Sequence, residues 1–431
     1  MKAARYDVVI AGAGISGLSL GALLARDGYS VLLVERNENF GGRFAPARRD
    51  GFTLDFGIHA CLLGKRGAVA RVVRKSQLDV RIKPVGVCLY RDGRLASFIG
   101  ENPLSIVFQR ALKPTSLLTL GREALLRRGK ASYRTPVKGS KKESETDVLL
   151  EYLSVSLLPT SEFELASRGE ILAFTRQAIR RAATMGYPSG GWVSVIDGLI
   201  DSIRKNSRCE VLSRTALEQV LLEGGRVRKV IAGGEEVDTR ACVLAFPPQE
   251  ISNVKFRPQL EEKYVGFLES LEPAFGLIID LGLRKPLTRE SRVIISIEPP
   301  ALLWAVSNVE PSLAPPGKQY LQIFTPLRRG EAGNNDLIVE RTEGLASFAE
   351  RVFSSNLDEE WRRVMPTVVT SVAHYTWQSM RERPSIRVPG APGAFMIGDG
   401  VNCHGLGGDL AARSALFCAK ILEKWLSKEA L

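Results

Sequence analysis

The chain has 431 residues, of which 45% are hydrophobic and 25% are charged, and these values exclude a disordered or fibrous protein. The length exceeds what one hydrophobic core usually supports, so two lobes are expected. The 59 lysines and arginines against 47 acids give a formal net charge of +12, which favours an anionic partner such as nucleic acid, anionic lipid or a phosphate-bearing ligand.

The six cysteines stand singly, without CxxC pairs or zinc-like histidine spacing, so we expect neither a metal site nor a disulfide framework. The first residues run directly into an apolar strand, which leaves no space for a cleavable signal segment. No apolar run approaches the roughly 20 residues of a membrane-spanning helix. We therefore expect a cytoplasmic chain, with any membrane contact peripheral and on the inner face of the membrane.

A βαβ unit is predicted at the start of the chain. A short apolar strand covers 7–10, a helix covers 15–25, and a second apolar strand covers 30–34 and ends at Glu35. The crossover makes the two strands parallel, so the unit begins a doubly wound α/β sheet.

The turn between the strand and the helix carries the GxGxxG pattern of dinucleotide-binding proteins. Gly12 allows a tight turn, Gly14 lets the backbone approach a pyrophosphate, and Gly17 lets the helix pack against the strands. Ile15 and Ser16 open the helix, whose N-terminal amides can donate to phosphate oxygens.

Glu35 ends the second strand at the separation expected of an acid that binds ribose hydroxyls. An acid at this position also argues against a ribose 2′-phosphate. Arg36 follows it as a further candidate contact to the cofactor. The alternative for the whole unit is a glycine-rich turn without a ligand.

A second glycine-rich motif, Gly41-Gly42-Arg43, follows the βαβ unit. With this motif the chain resembles the amine oxidase and phytoene desaturase superfamily of FAD enzymes, whose opening reads GxGxxG, an acid and then GGR. The resemblance implies that this loop lies along the FAD diphosphate, with Arg43 near it. An arginine fork suits paired phosphate oxygens, whereas the alternative for Arg43 is a surface charge.

Residues 50–59, DGFTLDFGIH, are similar to the stretch of the same family that runs beside the flavin ring. Gly57 would then permit close approach of the backbone to the ring. His59 is the candidate acid or base, although a structural hydrogen-bonding role is favoured for it.

Residues 110–142 are strongly basic, with one acid, Glu123, and interleaved leucines. This composition is typical of an amphipathic basic helix at an anionic membrane, and a solvated face with a loop is the alternative. The cations are Arg110, Lys113, Arg122, Arg127, Arg128, Lys130, Arg134, Lys138, Lys141 and Lys142, and the leucines are Leu117, Leu118, Leu120, Leu125 and Leu126.

Residues 187–192, YPSGGW, resemble the desaturase segment that precedes a helix lying under the cofactor. Trp192 begins an apolar pattern that continues through Val195, Ile196 and Leu199. The resemblance also implies that the strand at 217–220, beginning at Leu217, holds the adenine through backbone atoms.

The middle of the chain is rich in predicted strands. A meander from about 210 turns at the glycine pairs 224–225 and 233–234, and a further strand at 242–246 ends at two prolines. Further elements are predicted as strands at 275–281, 293–297 and 320–324, a helix at 343–356, and a closing strand, glycine-rich turn and helix from 393.

The closing turn resembles the C-terminal element of the family, in which an aspartate meets the ribityl or diphosphate part and a helix N-terminus faces the flavin. This implies cofactor contacts for Gly398, Asp399, Gly407, Gly408 and Leu410. The opening turn and this closing loop are therefore expected to converge on one elongated cleft.

The closing turn also departs from the family pattern, because Asp409 stands where alanine is expected. We expect this acid to cap its own helix rather than to point at a reduced flavin. Cys403 in the same turn is outside any covalent flavin motif, so it is expected to be a buried free thiol and FAD to be bound non-covalently.

These elements predict an α/β fold: a Rossmann-like FAD-binding domain with a central parallel sheet and a meander, and an α+β substrate domain with a mixed sheet. The discontinuous FAD-binding domain comprises 1–75, 185–250 and 388–431, and the substrate domain comprises 76–184 and 251–387.

The leading function is an FAD-dependent oxidoreductase that accepts a hydride on the flavin from a lipophilic polyene or isoprenoid, as phytoene desaturases do. One alternative is an amine or protoporphyrinogen oxidase, for which Trp304, Trp361 and Trp377 are candidates for an aromatic cage. Another is a prenyl-binding protein resembling the Rab GDP dissociation inhibitors, without redox activity, although GGR and Gly398-Asp399 argue against it. No nucleic-acid-binding motif accompanies the positive charge.

Overall fold

The computed structural model describes residues 5–100, 112–126, 130–139 and 144–428. The strands in these ranges are β1 (Arg5–Ala11), β2 (Val31–Val34), β3 (Ala47–Arg49), β4 (Phe52–Leu54), β5 (Ile82–Val85), β6 (Val87–Arg91), β7 (Arg94–Ile99), β8 (Met185–Pro188), β9 (Glu210–Leu212), β10 (Leu217–Glu223), β11 (Arg226–Ala232), β12 (Glu235–Leu244), β13 (Lys255–Arg257), β14 (Ala274–Leu283), β15 (Val293–Ile297), β16 (Pro300–Trp304), β17 (Gln319–Leu327), β18 (Glu359–Thr370) and β19 (Ala394–Met396).

The helices in the same ranges are α1 (Ile15–Arg26), α2 (Ala68–Lys75), α3 (Pro114–Leu126), α4 (Lys130–Tyr133), α5 (Glu145–Leu157), α6 (Arg168–Arg181), α7 (Trp192–Arg204), α8 (Glu262–Glu269), α9 (Asn335–Phe353) and α10 (Gly407–Lys428). No described helix is both long and apolar enough to cross a membrane.

The first sheet has the order β13-β10-β11-β12-β1-β2-β9, with β19 beside β12. The strands β9, β2, β1, β12 and β19 run parallel, as the βαβ pattern predicts. Val8, Ile10 and the whole of β2 are buried, because one face of these strands shares a core with α1, α7 and α10 and the other face shares a core with the meander. Helix α1 packs against α7 and α10, so the two ends of the chain meet over this sheet.

The meander β10-β11-β12 joins the parallel strands through tight hairpins. The glycine pairs at its two turns all have positive φ, as the sequence predicts. The strand expected at 242–246 is the end of a longer strand, β12, and not a separate element. One edge of β12 pairs first with β11 and then with β19, and its other edge pairs with β1, so a single strand belongs to both the meander and the parallel part of the sheet.

The second sheet has the order β18-β14-β17-β16-β15-β6-β7 and is mixed, because β15 and β6 pair in parallel whereas the other neighbouring strands of this order pair antiparallel. Alternate side chains of β14 point to opposite faces of this sheet. Leu277 and Ile279 join the core that includes Leu345 and Phe348 of α9, and Ile278 points the other way. Register places Ile278 beside Phe324, which lies beside Leu302, so the inner face is apolar there.

Several predicted elements are present but longer than expected. The strands at 275–281 and 320–324 extend to ten and nine residues, and the helix expected at 343–356 begins at Asn335. That earlier start has a local cause, because the Asn334 side chain accepts a hydrogen bond from the Leu337 amide.

These sheets give the predicted α/β fold, a Rossmann-like sheet with a meander and a separate mixed sheet. Strand β13 pairs with β10 in the first sheet although it follows residue 250. The proposed domain boundaries remain a prediction. Of the basic segment, Arg110, Arg127, Arg128, Lys141 and Lys142 lie outside the described residues, as does the side chain of Lys130.

Candidate functional site

A cavity of about 950 Å³ joins the first sheet to the second. This volume is at the upper end of the range for small-molecule sites. Its lining includes Gly12 and Gly14 from the opening turn and Gly398 and Asp399 from the closing loop. The two remote segments therefore meet at one cleft.

The fold itself requires glycine at two positions of the opening turn. Gly12 has φ +107°, and a Cβ there would lie 2.7 Å from the Ala245 carbonyl oxygen. A Cβ at Gly17 would lie 1.9 Å from the Gly12 oxygen, so this glycine allows α1 to pack against the turn, as predicted from the pattern.

Gly14 differs from both of these glycines. Its φ of −73° suits any residue, and a Cβ there would meet no atom within 4 Å. Nothing in the protein therefore demands glycine at this cavity-lining position, whereas a phosphate group approaching the backbone does. The cradle fits the diphosphate of a dinucleotide.

The N-terminus of α1 faces the same space. Ile15 and Ser16 line the cavity, and no side chain caps the helix at Gly14. The first intrahelical hydrogen bond runs from the Leu18 amide to Gly14, so the preceding amides are available to a ligand. An uncapped helix N-terminus of this kind attracts anions.

Glu35 ties the opening turn to the end of β2. It is 7% exposed, and its carboxylate accepts hydrogen bonds from the amides of Ala13 at 2.8 Å and Asn37 at 2.9 Å. Arg36 lines the cavity and forms an ion pair with Glu250 at 2.6 Å. Contact of Glu35 with a ribose stays a prediction.

Arg43 is no isolated surface charge. Its guanidinium forms an ion pair with Asp399 at 2.7 Å and donates to the Val369 carbonyl at 2.9 Å. Burial alone would raise the pKa of Asp399, but Arg43 and the hydroxyl and amide of Ser371 hold that pKa well below its usual range. Both ends of this ion pair line the cavity.

The two glycines before Arg43 seat its loop on the opening turn. The Gly41 amide donates to the Ala13 carbonyl at 2.8 Å, and a Cβ on Gly41 would lie 2.7 Å from Ala45 Cα. Gly42 has φ +57°, and a Cβ there would lie 3.3 Å from Gly14 Cα. Both glycines line the cavity.

His59 is held as a structural group. Its Nε2 lies 2.8 Å from the Arg43 carbonyl and 3.0 Å from the Phe56 carbonyl, so this nitrogen carries the proton. The ring stacks on Phe44 with centroids 4.1 Å apart, and burial lowers the pKa of His59 to about 4. These contacts support the structural hydrogen-bonding role favoured for His59, and its role as an acid or base stays a prediction.

Gly57 lines the cavity beside His59. It has φ +102°, and a Cβ there would lie 2.6 Å from Ile278 Cδ1. Contact with the inner face of the second sheet thus requires glycine here. Leu217 lines another part of the cavity with Thr215 and Ala216, at the start of β10.

The segment before Gly57 is anchored to the second sheet by a buried polar network. Tyr187 donates to the Asp55 carboxylate, and Arg363 donates to the Asp55 carbonyl at 2.8 Å while pairing with Asp280 at 2.6 Å. Tyr320 also donates to Asp280, at 2.7 Å. Burial raises the pKa of Asp55 to about 7.

Trp192 connects the predicted YPSGGW segment to this region. Its Nε1 donates to the His59 carbonyl at 2.8 Å, and its ring meets Phe44 edge-on. The buried face of α7 continues through the predicted Val195, Ile196 and Leu199. These side chains form core beneath the cavity.

Gly398, Gly407 and Gly408 line the cavity at the closing loop. A Cβ at Gly398 or Gly407 would meet nothing within 4 Å, and their φ angles of +138° and +51° favour glycine. Leu410 does not line the cavity and is fully buried in a core cluster. A helix turns about 100° per residue, so Ala411 faces the space instead.

The expectation that Asp409 caps its own helix is wrong. Its carboxylate accepts hydrogen bonds from the amides of Ala68 at 2.5 Å, Val69 at 3.2 Å and Leu63 at 3.1 Å, so it caps α2. A Cβ at Gly67 would lie 2.5 Å from Asp409 Oδ1. Asp409 thus accepts hydrogen bonds from the free N-terminal amides of α2, a helix whose own N-cap residue provides no side-chain acceptor.

All six cysteines are buried free thiols. Cys403 is 6% exposed and does not line the cavity, and burial raises its pKa to about 11. A protonated thiol is a poor nucleophile, so these properties favour the predicted non-covalent cofactor.

Sequence reasoning missed part of the cavity wall. Ser371 and the residues around Pro247 contribute at the closing loop, and α5 and the second sheet contribute elsewhere. In a strand, alternate side chains point to opposite faces of the sheet, and this alternation could have identified the residues of β14 that face the cavity. The missed apolar residues include Val155, Leu157, Ile278, Leu302, Phe324, Val368 and Val369.

Comparison with known proteins identifies related sequences and folds. A family model described as flavin containing amine oxidoreductase matches residues 15–401. A zeta-carotene-forming phytoene desaturase of Myxococcus xanthus is 22% identical over 382 residues, covering 74% of this chain and 72% of that protein. A 4,4′-diapophytoene desaturase of Staphylococcus haemolyticus is 44% identical over 50 residues, which span 12% of this chain and only 10% of that relative's length.

The fold is also found among solved structures. The structure of an oxidoreductase from Methanosarcina mazei aligns with a TM-score of 0.79 at 19% identity. The alignment covers 96% of this chain and 99% of the other.

Proposed function

The chain belongs to the flavin-containing amine oxidoreductase family and is an FAD-dependent oxidoreductase, and we propose that it oxidises or desaturates a lipophilic substrate of the polyene or isoprenoid class. Family membership also favours an enzyme over the prenyl-binding alternative without redox activity.

The residues that would hold FAD line the cavity. Glu35 and Leu217 would hold the adenosine, and Gly14, the N-terminus of α1 and Arg43 would hold the diphosphate. Gly57 and the N-terminus of α10 border the remaining part. When bound, FAD supplies the hydride acceptor.

The apolar wall beyond these loops carries the proposal. Ile278, Leu302 and Phe324 line it from the second sheet, and Val155 and Leu157 line it from α5. The same elements also contribute the uncharged hydroxyl side chains of Ser156, Thr367 and Thr370. Such a wall can orient a hydrocarbon chain and exclude water from the reacting carbon atoms.

The charged residues that line the cavity are Glu35, Arg36, Arg43, Glu250, Glu269 and Asp399. None comes from the second sheet or α5. Arg36 is paired with Glu250, and Arg43 is assigned to the FAD diphosphate, so neither is left for a carboxylate-bearing tetrapyrrole.

An amine substrate fits this wall less well. The candidate cage residues Trp304, Trp361 and Trp377 do not line the cavity. Trp304 is buried and donates to the Ser291 carbonyl, and Trp377 is 45% exposed on the surface. The second sheet also contributes no carboxylate to the cavity lining, so a cationic amine would lose water there without meeting an opposite charge.

Anaerobic titration of the purified flavoprotein tests the substrate class. Polyenes or isoprenoids should bleach the visible absorption of the flavin, and amines and porphyrinogens should not. Leu302→Gln should slow bleaching by the polyene about tenfold or more while flavin content is kept, because a polar group then faces the hydrocarbon. Bleaching by amines alone would reject the proposal.

A further inference from the structure

Helix α3 presents an apolar face to solvent. Leu118 is 72% exposed, Leu126 is 68% exposed and Leu125 is 39% exposed. With Arg122, these residues are spaced so that they share one side of the helix. The opposite side, with Ser116, Leu120 and Ala124, is buried against the protein.

The exposed leucines are not needed for the packing of α3. The helix already packs against α5 and α6 through its buried side. Surface helices normally direct polar residues outward, so an outward apolar stripe indicates a site of contact with another surface.

The apolar stripe continues onto α6. Ile179 is 47% exposed, and a Cβ at Gly121 of α3 would lie 3.9 Å from Ile179 Cδ1. The docking face is defined here as Leu118, Arg122, Leu125, Leu126, Ile179 and Arg180.

The docking face is cationic as well as apolar. Arg122 and Arg180 are exposed on α3 and α6. The single acid of α3, Glu123, lies on the other side of the helix, where it forms an ion pair with Arg168 at 2.7 Å. The docking face therefore presents two arginines, and no acid of α3, beside its leucines.

We propose that the docking face binds an anionic lipid surface. Leu118, Leu125, Leu126 and Ile179 would enter the boundary between headgroups and acyl chains, and the two arginines would contact lipid phosphates. A neutral protein partner would not match the arginines, and a second copy of this chain, with its net charge of +12, would be repelled.

This docking would bring the cavity close to dissolved hydrocarbon. Helix α3 packs on α5, and α5 supplies Val155 and Leu157 to the cavity wall. Binding to lipid is nevertheless independent of the substrate class, because it can be measured without turnover.

Co-sedimentation of the holoprotein with vesicles tests the proposal. We expect binding to phosphatidylglycerol-containing vesicles, weak binding to pure phosphatidylcholine, and loss of binding at high salt. Leu118→Gln with Leu126→Gln should lower partitioning about 100-fold, from about tenfold for each leucine. Arg122→Gln with Arg180→Gln should lower it about 25-fold, from about fivefold for each cation.

The controls are exposed residues outside the docking face. Val339→Gln removes a 64% exposed apolar side chain from α9, and Lys255→Gln removes an exposed charge from β13. Both should partition like the wild type. Absence of wild-type binding, or equal losses in the control variants, would overturn the proposal. A leucine variant that changes self-association in sedimentation velocity, with unchanged vesicle binding, would also overturn it and assign the face to a second copy.

Discussion

Arg43 and Asp399 are separated by 356 positions in the sequence and form an ion pair of 2.7 Å in the wall of the cofactor cavity. One residue belongs to the GGR loop and the other to the closing turn before α10. Their contact joins the two ends of the chain at the place where an anionic diphosphate would bind.

Separating this pair should affect both folding and flavin binding. Arg43→Met leaves the buried Asp399 carboxylate without its cation and should lower the free energy of unfolding by about 2 kcal/mol, since Arg43 is partly exposed. Flavin per chain should fall more than tenfold. Chemical denaturation and flavin absorbance measure the two effects.

The double variant Arg43→Met/Asp399→Asn provides the control. It removes both charges, so it should recover part of the stability but none of the flavin binding. Recovery of flavin content in the double variant would contradict a direct role of Arg43 at the diphosphate.

Asp399 should also make the free energy of unfolding decrease at acidic pH. Its pKa is lowered in the folded protein, so its contribution is complete above the unfolded value of about 3.9 and is lost as pH falls through the lower folded value. Asp399→Asn should therefore flatten the loss of stability below about pH 4. If the unfolding free energy of the variant, measured in urea, falls below pH 4 as steeply as that of the wild type, this assignment is contradicted.

Asp55 should act in the opposite direction. Burial raises its folded pKa to about 7, so the folded state binds more protons than the unfolded state between about pH 4 and 7, and stability falls as pH rises through that range. Asp55→Asn keeps an acceptor for Tyr187 and should increase the unfolding free energy at pH 8 by up to about 4 kcal/mol. Equal pH slopes for the variant and wild type would contradict the raised pKa.

Asp409 should stabilise the fold from outside the cavity. Asp409→Ala leaves three amides near the start of α2 without their acceptor and should cost about 2 kcal/mol. Flavin content should be retained, since Asp409 does not line the cavity. Asp336→Ala, an exposed acid in the first turn of α9, should cost only a few tenths of a kcal/mol. Equal losses of unfolding free energy in the two variants would contradict the role of Asp409 as the cap of α2.

The parts of the fold that depend on local sequence could be predicted. The opening strand, glycine turn and helix have their own periodicity and turn chemistry, and the structure has them at nearly the expected positions. The full length of β12 could not be predicted, because its pairing with β1 depends on residues more than 200 positions away.

The site shows the same division. The glycines of the opening turn follow from their spacing, but the position of Asp409 beside α2 depends on two helices that pack only in the folded chain. Leu410 was assigned to the cofactor from its motif, whereas the rotation of α10 directs it into the core. The apolar wall required the register of the second sheet, which the sequence pattern leaves open.

The central claim is that the opening turn holds the diphosphate of FAD, and comparison of Gly14→Ala with Gly17→Ala tests it most directly. Flavin per chain and thermal unfolding of the flavin-free protein are measured for both variants. Gly14→Ala should leave the flavin-free protein as stable as the wild type but lower flavin content at least tenfold, because its Cβ meets only the ligand. Gly17→Ala should destabilise the flavin-free protein itself, because its Cβ would overlap the Gly12 carbonyl. Full flavin content in a stable Gly14→Ala variant would contradict the account.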